Sequence, residues 1–123
     1  MSVEQQVLLD KADQALRTAA LALDAGDAEG ATNRAYYACF YLARAAVIGQ
    51  GEAPKTHSGV HRRFALHYVA PGAVPVEVGR ILPYAFAARL RADYDAAAVT
   101  DTAAAADLLR DAERFVAAVR PLL

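Results

Sequence analysis

Arg89 and Asp93 stand one helical turn apart on a stripe that begins with Leu82 and Phe86, so a charged pair continues an apolar seam. Ionised groups are costly to bury unless paired, and the seam ends either in an internal salt bridge or at the rim of a polar site. Arginine before aspartate is the less favourable order for a simple surface pair, which points to partners on other elements. His57 and His61 share this spacing, and with Phe64 and Tyr68 they line one face of a helix. Two histidines four apart can hold one metal ion, yet the cysteine or carboxylate ligands that complete such a site are missing nearby, and no Glu occupies an HExxH position. The pattern therefore predicts no metal. It predicts rings that pack with their nitrogens hydrogen-bonded, or one ring that meets a ligand as a titratable donor.

Arg62 and His67 form another basic pair, but five residues along a helix is a rotation of about 140°, so the two side chains diverge if the helix runs through both. Cys39 lies between Ala38 and Phe40 with no histidine beside it, and reads as a buried small hydrophobe, not a nucleophile. The glycines are scattered and form neither a phosphate-cradling loop nor a dinucleotide fingerprint, and no Ser/His/Asp triad can be assembled.

Five helices are predicted to position these groups. The first opens at Ser2 with Gln5 as a capping box and carries Leu8, Leu9, Ala12, Ala15, Leu16, Ala19 and Leu23 on one face until Gly26 stops it. Asp27 caps the second, which runs to about Gly49 and makes an antiparallel hairpin with the first. Residues 49–55, GQGEAPK, form a loop, and Thr56 caps a third helix that ends near Ala70, before Pro71 and Gly72. A fourth starts at Pro75, extends toward Ala97 and is kinked by Pro83, whose ring presses on the carbonyl of Gly79. Thr100 or Asp101 begins the last, where Ala105, Leu108, Leu109, Ala112, Phe115, Val116, Val119 and Leu122 recur at helical spacing.

The second helix differs from the others, because from Ala35 to Ile48 its only charge is Arg44. Tyr36, Phe40, Ala43 and Val47 make one stripe, and Arg34, Tyr37, Tyr41 and Ile48 make another about a third of a turn round. Such a helix belongs in the centre of a bundle, at a subunit interface, or both, and the expectation is core plus dimer interface. With 123 residues, 56% of them hydrophobic and many of those alanine, the chain suits one all-α domain over residues 1–123, an up-and-down bundle of four to five antiparallel helices. A single cysteine and the start MSVEQQ, which carries no secretory pattern, suggest a reduced cytoplasmic setting, and no apolar run is long enough for a membrane span. The formal net charge of -1 gives no general attraction to polyanions, so nucleic-acid contact requires local clustering of the basic residues.

Three clusters stand out together: NRAYYACF at residues 33–40, KTHSGV at 55–60 and RLRADY at 89–94. In order and spacing they resemble the HEPN domain family, from the opening hairpin to the terminal AERFVAAV. The resemblance implies an all-helical, usually homodimeric domain, in many cases encoded beside a minimal nucleotidyltransferase, with the HEPN protein serving as a ribonuclease toxin and its partner as the antitoxin. The family's ribonuclease motif is an arginine, then four to six residues, then a histidine; two copies meet in the dimer cleft and assist attack by the RNA 2′-hydroxyl on the adjacent phosphate. Arg89 to Tyr94 occupies the similar position here and lacks that histidine, with Asp93 in its neighbourhood. Arg62 and His67 fit the spacing but lie on the third helix.

The sequence is therefore most similar to the branch without the catalytic motif, which implies nucleotide or nucleic-acid binding, or docking onto a nucleotidyltransferase. In that reading Arg34, Tyr37, Lys55, His57, Arg89 and Tyr94 line the site: the arginines and the lysine meet phosphates, the tyrosines stack on a base or donate hydroxyls, and His57 is a titratable donor. A metal-independent endoribonuclease toxin is the alternative, with Arg89, Asp93 and Tyr94, or else Arg62 and His67, as its candidate residues. A purely structural dimerisation module is the second alternative. None of the three calls for a cofactor.

Overall fold

The computed structural model describes residues 1–96 and 99–123, and every described secondary-structure element is helical. Helix α1 (Val3–Asp24) opens on the capping box: the Ser2 hydroxyl accepts from Gln5 N–H, while the Gln5 side chain accepts from Ser2 N–H. It closes at Gly26, whose φ of 79° lies in the left-handed region that a side chain would disfavour. Asp27 then caps α2 (Ala28–Ile48) by accepting from Gly30 N–H at 2.8 Å. The turn is short, so α1 and α2 lie side by side. Alanines at 12, 19, 31, 35, 38, 45 and 46 are fully buried, and small side chains of this kind let helices approach closely.

Thr56 caps α3 (His57–Phe64) through Gly59 N–H at 3.0 Å. The third segment does not remain α-helical to Ala70: residues Ala65–Val69 form a π-helical turn, closed by Ala70 N–H on the Ala65 carbonyl at 2.9 Å. The segment after Pro75 is interrupted, not merely kinked. It splits into α4 (Val76–Gly79) and α5 (Ile81–Tyr94) at Arg80. Pro83 has no N–H to give the Gly79 carbonyl, and the ladder resumes one residue later with Tyr84 N–H on the Arg80 carbonyl at 3.1 Å. Helix α5 ends at Tyr94; the expected end at Ala97 lies outside the described residues. Asp101 caps α6 (Thr102–Val119), with a 3₁₀ turn over Arg120–Leu122 behind it.

Helix α2 packs against α1, α3, α5 and α6 and forms the axis of the bundle. Its stripe of Tyr36, Phe40, Ala43 and Val47 is buried, together with Phe64, Leu82 and Phe115. Much of the apolar character expected of a subunit contact is thus used within one chain. The second stripe, Arg34, Tyr37, Tyr41 and Ile48, is only half-buried. No described helix is long and apolar enough to cross a membrane.

Candidate functional site

Tyr36 is fully buried on α2, but its ring points its hydroxyl at α3, where Oη lies 2.6 Å from His57 Nδ1 and 3.0 Å from His61 Nε2. The cap at Thr56 makes this possible, because it starts α3 so that residues 57 and 61 face α2 one turn apart. His57 is stacked on Phe40, with ring centroids 4.3 Å apart, and on Phe86 of α5 at 5.6 Å. The two histidines, expected to pack with their nitrogens hydrogen-bonded, converge on a phenol. Among the described residues no group of three or more His, Cys, Asp and Glu side chains could hold a metal ion.

Arg89 reaches the same place from α5. Its guanidinium carbon lies 5.2 Å from the Tyr37 ring centroid and 5.9 Å from that of Tyr36, a cation–π arrangement, and Nε binds Asp93 Oδ2 at 3.1 Å. The side chain is 15% exposed, so the Arg89–Asp93 pair sits at the rim of the apolar seam, not inside it. Arg34 lies over Tyr37 at 5.0 Å, oriented by a hydrogen bond from its Nε to Asn33. Past Phe40 lies a cleft of about 350 Å³ lined by Phe40, Arg44, Ala53, Pro54 and Lys55, which with the side chains above makes one groove beside α2. Lys11 covers Tyr41 nearby, at 5.7 Å from the ring. The result is a strip of cations interleaved with aromatic rings along α2.

The electrostatics follow from burial. Desolvation lowers the pKa of His57, and the positive charge of Arg89 lowers it further. Desolvation and the neighbouring His57 bring His61 down to about 4, so both rings are neutral at pH 7. Burial pushes the Tyr36 hydroxyl well up, with Arg89 acting against the rise, and burial does the same to the Cys39 thiol. Cys39 is fully buried, as its setting in the sequence suggests.

Of the residues expected at the site, Arg34, Tyr37, His57 and Arg89 come together, and Lys55 stands exposed at the adjoining cleft. Tyr94 does not join them. It is 75% exposed at the end of α5, with no ring contact or hydrogen bond among the described residues. Arg62 and His67 do not pair with each other: His67 Nε2 binds Glu52 Oε1 at 2.5 Å, and Arg63, not Arg62, takes the other Glu52 oxygen at 2.8 Å. Glu52, Arg63 and His67 pin the loop after α2 to α3 and to the π turn behind it. Sequence reasoning missed Tyr36 and His61 as site residues. The signal was the four-residue spacing of the two histidines, which placed both rings on one face within reach of a common partner.

The HEPN domain model matches residues 5–122. The chain belongs to the HEPN family. Among its relatives, UPF0332 protein glr0978 of Gloeobacter violaceus is 38% identical over 97 residues, covering 79% of this chain and 77% of that one. A Methanocaldococcus jannaschii protein named "Putative toxin MJ0605" is 32% identical over 120 residues, 98% of this chain and 89% of the relative. A UPF0332 protein of Thermotoga maritima is 32% identical over 113 residues, 92% and 86% respectively. Within this HEPN chain, the arginine of the expected motif position is Arg89, and the histidine nearest its charge comes from α3, not from the following turn of α5.

Proposed function

We propose that this HEPN protein binds a nucleotide or single-stranded RNA along the α2 groove, with Arg34, Lys55 and Arg89 meeting phosphates, Tyr37 stacking on a base and His57 presenting a ring nitrogen. One observation carries the reading: Arg89 from α5, His57 from α3 and Arg34 from α2 gather around Tyr36 and Tyr37, on a stretch of helix whose only other charge is Arg44. Alternating cations and rings suit a chain that offers a phosphate and a π-face at every step. Asp93 holds one edge of the Arg89 fork, and the terminal amino groups are the part that a phosphate would meet. The groove also suits a contact with a second copy or with a nucleotidyltransferase partner, since a ligand held by arginines can be shared across an interface. Calorimetry of the purified protein against nucleotides and short RNAs tests the binding. Binding that weakens roughly ten- to a hundredfold in Arg89→Ala is expected from the loss of a charged hydrogen bond. No heat from any ligand, with an intact helical spectrum, would sink it.

A second reading is a ribonuclease toxin in which His57 takes the role of the histidine absent after Arg89. It is favoured by the influence of the Arg89 charge on His57, and two relatives carry the word toxin in their names. Expression in cells separates the two readings. Growth arrest with RNA cleavage that is lost in Arg89→Ala and His57→Ala, but not in His67→Ala, is the outcome expected of the toxin; growth that never slows counts against it.

A further inference from the structure

The Tyr36 hydroxyl has one proton and two imidazole neighbours, His57 Nδ1 at 2.6 Å and His61 Nε2 at 3.0 Å. It can donate to only one of them and must accept from the other. If Tyr36 donates to His57 Nδ1, that ring keeps its proton on Nε2, and His61 must donate to Tyr36 from Nε2. If Tyr36 donates to His61 Nε2, the His61 proton is on Nδ1, and His57 donates to Tyr36 from Nδ1. A mixed pair sets two N–H groups against one oxygen that must then hide its own proton, or leaves two bare nitrogens competing for one proton. Either mixture strands a buried polar group, which is costly where no water can repair it.

The two nitrogens that face away from Tyr36 lead to different places. No buried side-chain nitrogen or oxygen among the described residues lacks a partner, so the remaining nitrogen of each ring, which bonds to no protein group, reaches solvent. His57 is stacked between Phe40 and Phe86, and Phe40 in turn lines the cleft with Arg44 and Lys55. His61 lines a separate apolar cleft of about 210 Å³ with Phe64, Val69, Gly79, Arg80 and Pro83. Arg89 from α5 and Tyr37 and Cys39 from α2 are the charged and titratable neighbours of the linkage.

We propose that Tyr36 joins His57 and His61 into one tautomeric switch, both rings protonated on Nε2 or both on Nδ1, so that His57 offers the groove a donor or an acceptor while remaining uncharged. The proton balance closes without a charged intermediate in the protein. With both protons on Nδ1, His57 Nε2 takes a proton from a ligand hydroxyl as that O–H bond breaks, and the electron pair stays on the ligand oxygen. His57 Nδ1 passes its proton to Tyr36 Oη, Tyr36 passes its own to His61 Nε2, and His61 Nδ1 releases one to water or a buffer base in the far cleft. The reverse run delivers a proton from solvent to the ligand. Such a path would keep His57 uncharged while the groove is covered by its ligand, and the reverse run would return it to its starting tautomer. This use of the switch rests on the ligand reading of the groove, whereas the coupling of the rings does not. Tyr36 and His61 are then positioning residues, and His57 is the one that touches the ligand.

Long-range ¹H–¹⁵N spectra of histidine-labelled protein at pH 7.5 test it, with uridine 5′-monophosphate as the probe. The fraction of each ring protonated on Nε2 should be the same at His57 and His61, should move in step when the nucleotide is added, and should separate in Tyr36→Phe. Different fractions in the unsubstituted protein, or fractions that stay equal in Tyr36→Phe, overturn the proposal. Should Tyr36→Phe fail to fold, His61→Gln serves instead: a carboxamide both donates and accepts, so the His57 fraction should leave its original value, and an unchanged fraction overturns the switch. Equal fractions in free protein with no response to nucleotide support the switch and tell against the ligand reading.

Discussion

His57 and His61 enter the folded protein without charge, because burial disfavours the imidazolium in both and the positive charge of Arg89 adds to this at His57. Their folded pKa values lie below the unfolded value of 6.5, so between the two the unfolded chain binds more protons and stability rises with pH. The contribution is complete above pH 6.5 and is lost as pH falls toward about 4, where His61 titrates in the fold. After discounting for partial exposure, the loss for His61 is on the order of 1 kcal/mol, or roughly 3–5 °C in Tm for a domain of this size. Thermal melts at pH 7.5 and 5 should therefore differ more for the unsubstituted protein than for His61→Gln; an equal difference would mean that His61 carries no such penalty. At this scale the sequence was partly legible. Arg89 and His57 betrayed themselves as polar groups on apolar helices, whereas Tyr36 looked like core because its ring is core and only its oxygen is chemical. Tyr94 showed the opposite error, since a tyrosine near a charged pair at the end of a helix turned out to face solvent.

The helix ends place these side chains, and their caps were plain in the sequence because a cap is a local device: Ser2, Asp27, Thr56 and Asp101 each bind an N–H three residues on. What could not be read was the π turn at Ala65–Val69 and the break at Arg80, since both depend on how two distant segments meet. Gly79 is where they meet. A Cβ there would come 2.6 Å from Val69 Cγ2, so the glycine is required by the approach of α4 to the π turn, and the backbone room it gives beside Pro83 is secondary. Gly79→Ala should cost roughly 1–3 kcal/mol by overpacking, measurable by urea denaturation, unless Val69→Ala is made with it and restores most of the loss. Thr56→Ala removes the cap of α3 at about 1 kcal/mol, and because that cap sets the first turn, which carries His57, it should also loosen the hydrogen bonds to Tyr36. Hydrogen exchange confined to residues 57–61 would record this; uniform exchange across the bundle would show a global loss alone.

At the scale of the whole molecule, a net charge of -1 coexists with a basic strip on one side of α2. Some acidic groups are held in pairs away from the strip, as in Asp13 with Arg120, Asp107 with Arg110, and Glu52 with Arg63 and His67. Long-range attraction to RNA is therefore weak, and binding should depend on the few cations in the groove. If Arg34, Lys55 and Arg89 of one chain neutralise the phosphates, the logarithm of the binding constant for a single-stranded RNA should fall against the logarithm of salt concentration with a slope of about −2, from roughly 0.7 per phosphate contact. The slope also tells how many chains act. Two copies lying across one RNA would offer twice as many cations and a slope of about −4. Titrations from 50 to 300 mM salt, combined with sedimentation at the same protein concentrations, separate these cases: a slope near −2 for a particle that sediments as a dimer would mean that each groove works by itself, and a slope near −4 would mean that a composite site forms between chains. A slope close to zero would remove the phosphate contacts altogether and leave Arg34 and Arg89 as packing for Tyr36 and Tyr37.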